Sequence, residues 1–218
     1  KIFTRKFDYN SHYEDFHLGI LILVSILFFY FLILSDENIF SLSLAVISSI
    51  ATSGIAIYSS ETDVSIFFIL LTIIGGSLLS TSSGIKYVRF YILLKFSHHE
   101  IYRLVKPINI FNRNLFIPQS KIDYEDLKIC FLVFIFFIIG IFILSGILTL
   151  EELSFQNSFK LSILTLTNTT TSSLYGIDSL IFYDMNIFTK ISLIIFMILG
   201  RVEIIAALFL IKKFIQKE

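Results

Sequence analysis

The chain has 218 residues, of which 56% are hydrophobic and only 16% are charged. With a mean hydropathy of +0.84, this composition excludes a disordered or collagenous chain and favours an integral membrane protein. The 17 basic and 17 acidic residues balance to a formal net charge of zero. The single cysteine, Cys130, excludes a disulfide framework and a cysteine-based metal site.

Four apolar stretches are each long enough to cross about 30 Å of hydrocarbon as a helix. They are residues 18–34, 64–94, 129–148 and 187–211. Basic residues concentrate before the first stretch, between the second and third, and after the fourth, whereas 35–63 contains none and 149–186 contains only Lys160. The positive-inside rule therefore predicts that both termini and the 95–128 connector are cytoplasmic and that the other two connections face outward.

Two shorter apolar segments, 40–50 and 158–166, follow the first and third stretches and are too short to cross a bilayer. Each is accompanied by polar residues that suit the start of a helix. These residues are Asp36, Glu37 and Asn38 in the first case, and Glu151, Glu152, Gln156 and Asn157 in the second. We predict that each segment is a short helix that enters the outer half of the membrane and turns back.

The same order of elements occurs twice: a span, a short helix, a turn rich in Thr and Ser, and a second span. The two halves are offset by 116 residues when Gly54 is paired with Thr170. Repeats of this kind are common in membrane transport proteins, with the binding site where the repeats meet. We therefore predict one repeat over 1–95, a basic cytoplasmic connector over 96–128, and a second repeat over 129–218.

The turns after the two short segments offer carbonyl and hydroxyl oxygens and contain no charged side chain. Their residues are Ala51, Thr52, Ser53 and Gly54, and Thr167, Asn168, Thr169 and Thr170. Hard alkali cations take oxygen ligands, and rings of backbone carbonyls can replace their hydration shell. The negative C-terminal ends of the short helices would also favour a cation over an anion. A cation pore is one interpretation, and two loops that dip into a helical bundle are the other.

A small polar segment from Gly75 to Gly84 interrupts the second apolar stretch. No water is available in the hydrocarbon core to satisfy the backbone groups that such a break releases. The segment therefore has to be buried in protein or face a water-filled cavity. This interruption indicates a solute pathway.

Three motifs resemble those of the Trk/Ktr/HKT superfamily of potassium transporters, most closely the bacterial Trk-type pore subunit. Gly75 through Lys86, with Arg89, resembles the family's GG…STGGGIK…R run, and residues 200–204 resemble its LGRLEI motif. Residues 51–54 are similar to its TTTG filter turn. Together with the order of the spans, these motifs cover nearly the whole chain.

The resemblance implies an all-α integral membrane fold in which this chain supplies two span–pore-helix–span repeats, the third and fourth around a potassium-channel-like pore. It also implies that both turns contribute to a selectivity filter, and that potassium, bound only there, is the transported ion. The residues implied as a gate beneath the filter are Gly75, Gly76, Ser80, Thr81, Ser82, Ser83, Gly84 and Arg201. Because the chain opens with Lys1 and no signal segment, we expect it to be the later part of a longer protein.

One turn departs from the family pattern. The family's last filter turn reads N-x-G-P-G, but here Asn168 is followed by Thr169, Thr170, Thr171 and Ser172. Thr170 therefore occupies the position of the filter glycine, where a Cβ opposes the positive φ that glycine permits. A distorted turn, or one that presents a hydroxyl, is expected to weaken the selection of potassium over sodium.

Three basic residues near the interrupted and final spans have alternative interpretations. Arg201 lies 14 residues into the last apolar stretch, where a charge is costly and a functional or paired role is expected. Lys86 and Arg89 follow the polar segment, and they are expected to reach the cytoplasmic interface with their long side chains.

The sequence predicts a multi-pass potassium uptake protein of the bacterial inner membrane, with no enzymatic site and no covalently bound cofactor. A sodium-permeable or weakly selective cation pathway and a non-conducting membrane scaffold are the alternatives. We expect the protein to be surrounded by membrane lipid and to have no nucleic-acid partner. The resemblance further implies a homodimer and a cytoplasmic nucleotide-binding regulatory subunit.

Overall fold

The chain is helical almost throughout the part that its computed structural model describes. The described residues are 13–33, 38–55, 65–78, 80–105, 116–117, 120–121, 124–151, 153–170, 173–176 and 185–202. They include α1 (Tyr13–Ile33), α2 (Ile39–Ile50), α3 (Ser65–Ile74), α4 (Tyr87–Val105), α5 (Tyr124–Thr149), α6 (Phe155–Leu166) and α7 (Ile187–Val202). The exception is a two-residue antiparallel ladder between β1 (Phe116–Ile117) and β2 (Ser120–Lys121), with Phe116 opposite Lys121. The predicted all-helical fold is confirmed apart from this ladder.

Two of the described helices are long and apolar enough to cross a membrane. They contain the apolar windows Glu14–Phe31 in α1 and Leu127–Thr149 in α5. Both helices are apolar on every side, as expected for a helix whose surroundings are apolar all round. The other two predicted spans differ. The second is broken into α3 and α4, and α7 has 16 described residues, with 203–211 outside the described part.

Helix α4 continues well past the end of the second predicted span. It runs without interruption from Tyr87 to Val105, so the first ten residues of the segment predicted as a connector are helical. The sequence of this part contains no proline or glycine that would end the helix. Polar side chains such as His98 and His99 lowered its hydropathy, which is the reason that it was not predicted as part of the same element.

The two short helices, α2 and α6, each have 12 residues. Helix α6 begins three residues earlier than predicted because the hydroxyl of Ser154 caps it, accepting a hydrogen bond from the backbone N–H of Asn157 at 3.4 Å. Asn38 is the N-cap of α2, but its side chain makes no capping bond. Asp36 and Glu37, the other expected capping residues, lie outside the described residues.

Both short helices are surrounded by longer ones. Helix α2 packs against α1 and α3, whereas α6 packs against α5, α7 and α3. Almost every residue of α6 from Leu161 onward is buried, and the core also includes the rings of Phe29 and Phe68, which stack at 4.6 Å between centroids. The outward faces of the long helices remain apolar and exposed.

The two halves contact each other through polar groups as well as through α3 and α6. Tyr175, which lies in a short 3-10 turn (Ser173–Tyr175) and is fully buried, donates its hydroxyl hydrogen to the Ser49 hydroxyl at 3.3 Å. Lys160 Nζ lies 3.5 Å from the Ser65 hydroxyl oxygen. These contacts join the end of α2 to the 3-10 turn, and α6 to the start of α3.

Just after the C-terminal end of α5, Glu151 connects this helix to the start of α7. Its carboxylate accepts hydrogen bonds from the Thr189 hydroxyl and from the backbone N–H of Asn186, the latter at 3.4 Å. The pKa of Glu151 lies below its usual range, chiefly because of the bond from Thr189. Glu151 therefore has a structural role beyond the general acidity expected of an outer loop.

Candidate functional site

The turn after α2 closes the helix with a Schellman arrangement, in which a residue of positive φ reverses the chain. Thr52 has φ 50°, its N–H donates to Ser49 O at 3.2 Å, and the N–H of Ser53 donates to Ser48 O at 3.0 Å. The hydroxyls of Ser48 and Ser53 lie 2.9 Å apart, and Ser48 also donates to Ile55 O at 2.7 Å. Positive φ is uncommon for a β-branched residue such as threonine, so this turn is strained.

The turn after α6 has the same hydrogen-bond pattern. Asn168 has φ 58°, its N–H donates to Thr165 O at 3.1 Å, and the N–H of Thr169 donates to Leu164 O at 2.9 Å. The Thr167 and Thr169 hydroxyls lie 2.9 Å apart. Thr52 and Asn168 are 116 residues apart in the sequence and have the same place in the two turns. The assignment of the halves as repeats of one pore stays a prediction.

These bonds leave carbonyl oxygens at the ends of the turns available. The bonded carbonyls belong to the helices, at Ser48, Ser49, Leu164 and Thr165. Within the described residues, no hydrogen bond occupies a carbonyl oxygen of 51–54 or 167–170. Backbone oxygens at the C-terminal ends of two helices, flanked by buried hydroxyls, form an environment that suits a monovalent hard cation.

The two turns differ at the residue that follows. Gly54 has φ 70°, a conformation that glycine adopts without steric cost. Thr170, the residue paired with it in the sequence comparison, is not among the non-glycine residues of positive φ in the described chain. The backbone therefore takes a different path at Thr170, as expected when a Cβ opposes the left-handed conformation.

The segment between α3 and α4 is a closed loop whose two ends lie side by side. The N–H of Ile85 donates to Ile73 O, and that of Tyr87 donates to Gly76 O, both at 3.0 Å. Gly75 and Gly84 have φ 69° and 90°, and a Cβ on either would lie within 3.7 Å of the Cα of the other. A Cβ on Gly75 would lie 2.5 Å from Ser83 O, so both positions require glycine for conformation and for space.

Hydroxyl groups maintain the shape of the loop. The Ser82 hydroxyl accepts from the N–H of Gly76 at 3.0 Å and lies 2.5 Å from the Ser80 hydroxyl. Ser80 N–H donates to Ser77 O at 3.1 Å. Ser82 and Ser83 are buried, whereas Thr81 is exposed.

Lys86 belongs to the loop, which corrects the expectation that its side chain reaches the interface. Its side chain is only 7% exposed, and its Nζ donates to Leu78 O at 2.9 Å and to Ser80 O at 3.0 Å. It also has φ 72°, which directs the chain from the loop into α4. Lys86 stays within the loop because the carbonyl oxygens of Leu78 and Ser80 lie within reach of its four-carbon side chain.

The loop contacts both turns through Ser83. Its N–H donates to the Thr52 hydroxyl at 2.9 Å, and its hydroxyl accepts from Asn168 Nδ2, also at 2.9 Å. Asn168 Nδ2 in addition donates to Met197 O of α7 at 3.0 Å. The structure thus brings residues of both predicted turns and of the predicted loop into one connected region.

The loop has a further contact that sequence reasoning does not single out. The N–H of Leu78 donates to Glu14 Oε1 in the first turn of α1 at 2.5 Å. An acidic residue in a first helical turn is favourable in any helix, so the residue alone carries no signal for a loop contact. Glu14 therefore ties the loop to α1.

Arg201 lies in the last described turn of α7 and its side chain is exposed on the surface of this chain. Among the described residues, no hydrogen bond or ion pair joins it to the loop. Its neighbour Gly200, the first residue of the 200–204 motif, lies against the end of α6. A Cβ on Gly200 would lie 2.0 Å from Leu166 O. The last helix is therefore in direct backbone contact with the end of α6.

Substituting Lys86 with methionine should loosen the loop. The change removes the donor of two hydrogen bonds from a buried position, and bonds to a charged group contribute about 1.5–3 kcal/mol. We expect a lower midpoint of thermal denaturation for the detergent-solubilised full-length protein. Lys95→Met is the control, because the Lys95 ammonium lies 5.6 Å from the centroid of the Tyr91 ring, a contact that contributes about 0.5–1 kcal/mol when exposed. Equal midpoints for the two variants would contradict the role of Lys86.

A family model described as "TrkH: Cation transport protein" matches residues 46–217, a range that includes both turns, the loop and α7. The chain belongs to the TrkH family. The description of this family is that of cation transport proteins and not of enzymes, in line with the prediction from the sequence. The resemblance to the Trk superfamily, predicted from the three motifs, is thereby confirmed.

Comparison with two relatives of this TrkH-family chain shows how much of their length it covers. It is 30% identical over 169 residues to the Trk system potassium uptake protein TrkG of Escherichia coli (strain K12), which is 77% of this chain and 33% of that protein. Its fold matches the crystal structure of the potassium transporter TrkH from Vibrio parahaemolyticus with a TM-score of 0.74 and 20% identity, over 93% of this chain and 44% of that one. The chain thus spans less than half the length of either relative.

Proposed function

We propose that this chain forms part of a potassium uptake pathway, in which the turns after α2 and α6 line a selectivity filter and the loop between α3 and α4 gates it. The observation that carries the proposal is the meeting of these three segments at Ser83, where the carbonyl oxygens of both turns accept no hydrogen bond from any described residue. The printed names of the two relatives, a potassium uptake protein and a potassium transporter, favour potassium as the ion.

A membrane location is supported by the distribution of polar and apolar side chains. Large apolar side chains are exposed on α1, α5 and α7, as at Leu23, Phe142 and Ile198, whereas hydroxyl side chains such as Thr72 and Thr165 are fully buried. In water this distribution would be unfavourable, but in lipid the outer face needs to be apolar and the polar groups need internal partners. We place the protein in the bacterial inner membrane as a multi-pass protein, with the topology that the basic residues predict.

The chemistry of the filter follows from the turns. A potassium ion that sheds its water needs several oxygen ligands, and backbone carbonyls provide them without a charge that would bind the ion too tightly. The C-terminal ends of α2 and α6 add partial negative charge at the same place. Because this chain provides two turns, we propose that the remainder of the protein supplies the others, with potassium as cargo and no covalent cofactor.

The gate role of the loop is proposed from its position and its shape. The loop has glycines at both ends, contacts both turns and interrupts an apolar stretch that the sequence predicts to span the membrane, where such a break needs protein or water around it. Arg201, exposed in the last turn of α7, is the positive charge that we propose to face the ion path and raise the barrier to cations.

Thr170 favours one alternative, a sodium-permeable or weakly selective pathway. A turn that lacks the glycine conformation places its carbonyls differently, and the fit to potassium depends on that placement. A non-conducting scaffold is the other alternative, in which the polar groups would stabilise the fold only. The homodimer and the cytoplasmic nucleotide-binding subunit, for which the basic 96–128 segment is a plausible docking surface, remain proposals from the resemblance.

Uptake by the full-length protein tests the proposed function. Expression in a bacterial strain that lacks its own potassium uptake systems should restore growth at low potassium and allow uptake of potassium and sodium to be compared. Faster uptake of potassium supports the proposal, and equal uptake of both ions supports the weakly selective alternative. Absence of uptake at normal membrane abundance would favour the scaffold.

Thr170→Gly should raise the preference for potassium over sodium, and Gly54→Ser should lower it. Glycine at 170 restores access to positive φ, whereas serine at 54 introduces a Cβ where φ is 70°. A difference of about 1.4 kcal/mol between the two ions changes their ratio tenfold, which competitive uptake measurements resolve. If Gly54→Ser removes selectivity while Thr170→Gly changes nothing, Thr170 is not part of the filter.

A further inference from the structure

Ser83 holds the loop by two hydrogen bonds that end on equivalent residues of the two turns. The bond to Thr52 uses the backbone N–H of Ser83, and the bond from Asn168 uses its hydroxyl. Ser83 is 1% exposed, so water does not compete for either bond. The contacts span 31 and 85 residues along the sequence, and they join three separate segments at a single residue.

The two partners of Ser83 are also the two strained residues of the turns. Thr52 and Asn168 have φ 50° and 58°, the reversal points of the Schellman arrangements. A left-handed conformation costs roughly 1–2 kcal/mol for a residue with a Cβ, and asparagine tolerates it better than threonine does. Strained residues tend to persist where the surroundings determine their conformation, and they are concentrated at functional sites. Around Thr52 and Asn168, these surroundings include the loop, through its residue Ser83.

The backbone angles of Thr52 and Asn168 determine the positions of their side chains and also the directions of the neighbouring carbonyl groups. A change of φ or ψ at Thr52 or Asn168 moves the hydroxyl or amide that binds Ser83 and also reorients the neighbouring carbonyls. Asn168 is further held by its second bond, to Met197 O of α7. The present conformation of the turns and the closed position of the loop therefore occur together. A ligand that stabilises the turns in this conformation also stabilises the closed loop.

We propose that Ser83 is a positioning residue that couples cation occupancy of the turns to the position of the loop. A cation bound by the turn carbonyls keeps Thr52 and Asn168 in their present conformations, and these residues retain Ser83 and the closed loop. Coupling is reciprocal, so a loop that has lost Ser83 also lowers the affinity of the turns for the cation. This inference rests on the proposed function of the turns as a cation-binding filter.

The test measures how potassium changes the exposure of the loop. A cysteine replaces exposed Thr81 in the full-length protein, in a background without Cys130 or other reactive cysteines, and the protein is reconstituted into liposomes. The rate of modification by a thiol reagent is compared in potassium and in N-methylglucamine. Potassium should slow the reaction about fivefold or more, the lower range of typical coupling between sites.

Two variants each remove one of the two hydrogen bonds between Ser83 and the turns. Ser83→Ala removes the acceptor for Asn168, and Thr52→Val removes the acceptor for the Ser83 N–H while it keeps the shape of the side chain. In each, the potassium effect should be lost or greatly reduced, so the test survives if one variant does not fold. Ser25→Ala is the control, because it also removes one hydroxyl, which donates to Leu21 O within α1 and lies outside the loop and both turns, and it should retain the potassium effect.

Rubidium uptake by the same liposomes separates this inference from the proposed function. If the parent protein takes up rubidium and potassium slows modification equally in the parent, Ser83→Ala and Thr52→Val, the coupling through Ser83 is wrong and the transport function stands. The coupling is also wrong if potassium does not affect the parent. If the parent takes up no rubidium, the proposed function fails whatever the modification rates.

Discussion

Gly200→Ala is expected to destabilise the folded protein by about 1–3 kcal/mol or more, the usual range for an overpacked interior. The new Cβ would lie 2.0 Å from Leu166 O and 2.8 Å from Leu166 C, which are backbone atoms and cannot rotate away. Either α7 or the end of α6 has to move, and the turn from Thr167 to Thr170 begins at that end. We expect a lower denaturation midpoint, lower membrane abundance and reduced potassium uptake.

The control for this substitution is another glycine within a helix. Gly146 lies in α5, and a Cβ there would meet no heavy atom within 4 Å. Alanine is favoured over glycine by about 1 kcal/mol in a helix, so Gly146→Ala should leave the midpoint unchanged or raise it. If Gly200→Ala and Gly146→Ala had the same midpoint, the close contact between α6 and α7 would be contradicted.

Gly84→Ala is expected to raise cation uptake severalfold for each protein molecule in the membrane. Gly84 has φ 90°, and a Cβ would lie 2.7 Å from Thr72 O and 3.0 Å from Ile73 O, so the loop cannot keep its present path. If the loop obstructs the ion pathway, its displacement lowers the barrier to flux. Uptake of rubidium, normalised to membrane abundance, measures the effect.

The matched control is Gly176→Ala, which introduces similar backbone strain outside the loop. Gly176 has φ 67°, but the nearest heavy atom to a Cβ there would be Ser65 Oγ at an ordinary 3.7 Å. It should lower stability slightly and leave uptake for each molecule near that of the parent. Uptake by Gly84→Ala that is unchanged or reduced, at a denaturation midpoint similar to that of Gly176→Ala, would argue against the loop as a gate.

Local patterns in the sequence predict a large part of this fold. Long apolar stretches predict α1 and α5, and short ones predict α2 and α6, because length and hydropathy are properties of the segment itself. The Gly/Ser/Thr run predicts the break between α3 and α4 for the same reason. The start of α6 was predicted three residues late, because Gln156 and Asn157 were interpreted as preceding the helix when Ser154 already caps it.

The connections within the candidate site could not be predicted in this way. Positive φ was expected at Gly54, but Thr52 and Asn168 also adopt it, since the two turns reverse the chain two residues before Gly54 and Thr170. The bonds from Ser83 to these residues, and from Leu78 to Glu14, join residues 31 to 85 positions apart. Such bonds depend on how the segments meet in space, and no periodicity in the sequence records them.

The position of Lys86 has a consequence for how the loop responds to ions. Its ammonium group lies among carbonyl oxygens of Leu78 and Ser80, at 2.9 and 3.0 Å, much as a free monovalent cation would. The loop therefore contains its own tethered cation, and these oxygens are not open to an ion in transit. Potassium has little to gain by binding the loop directly, and the nearby positive charge repels it. Ions should therefore affect the loop through their binding to the two turns, and a change in ionic strength that leaves the occupancy of the turns unchanged should have little effect on the loop.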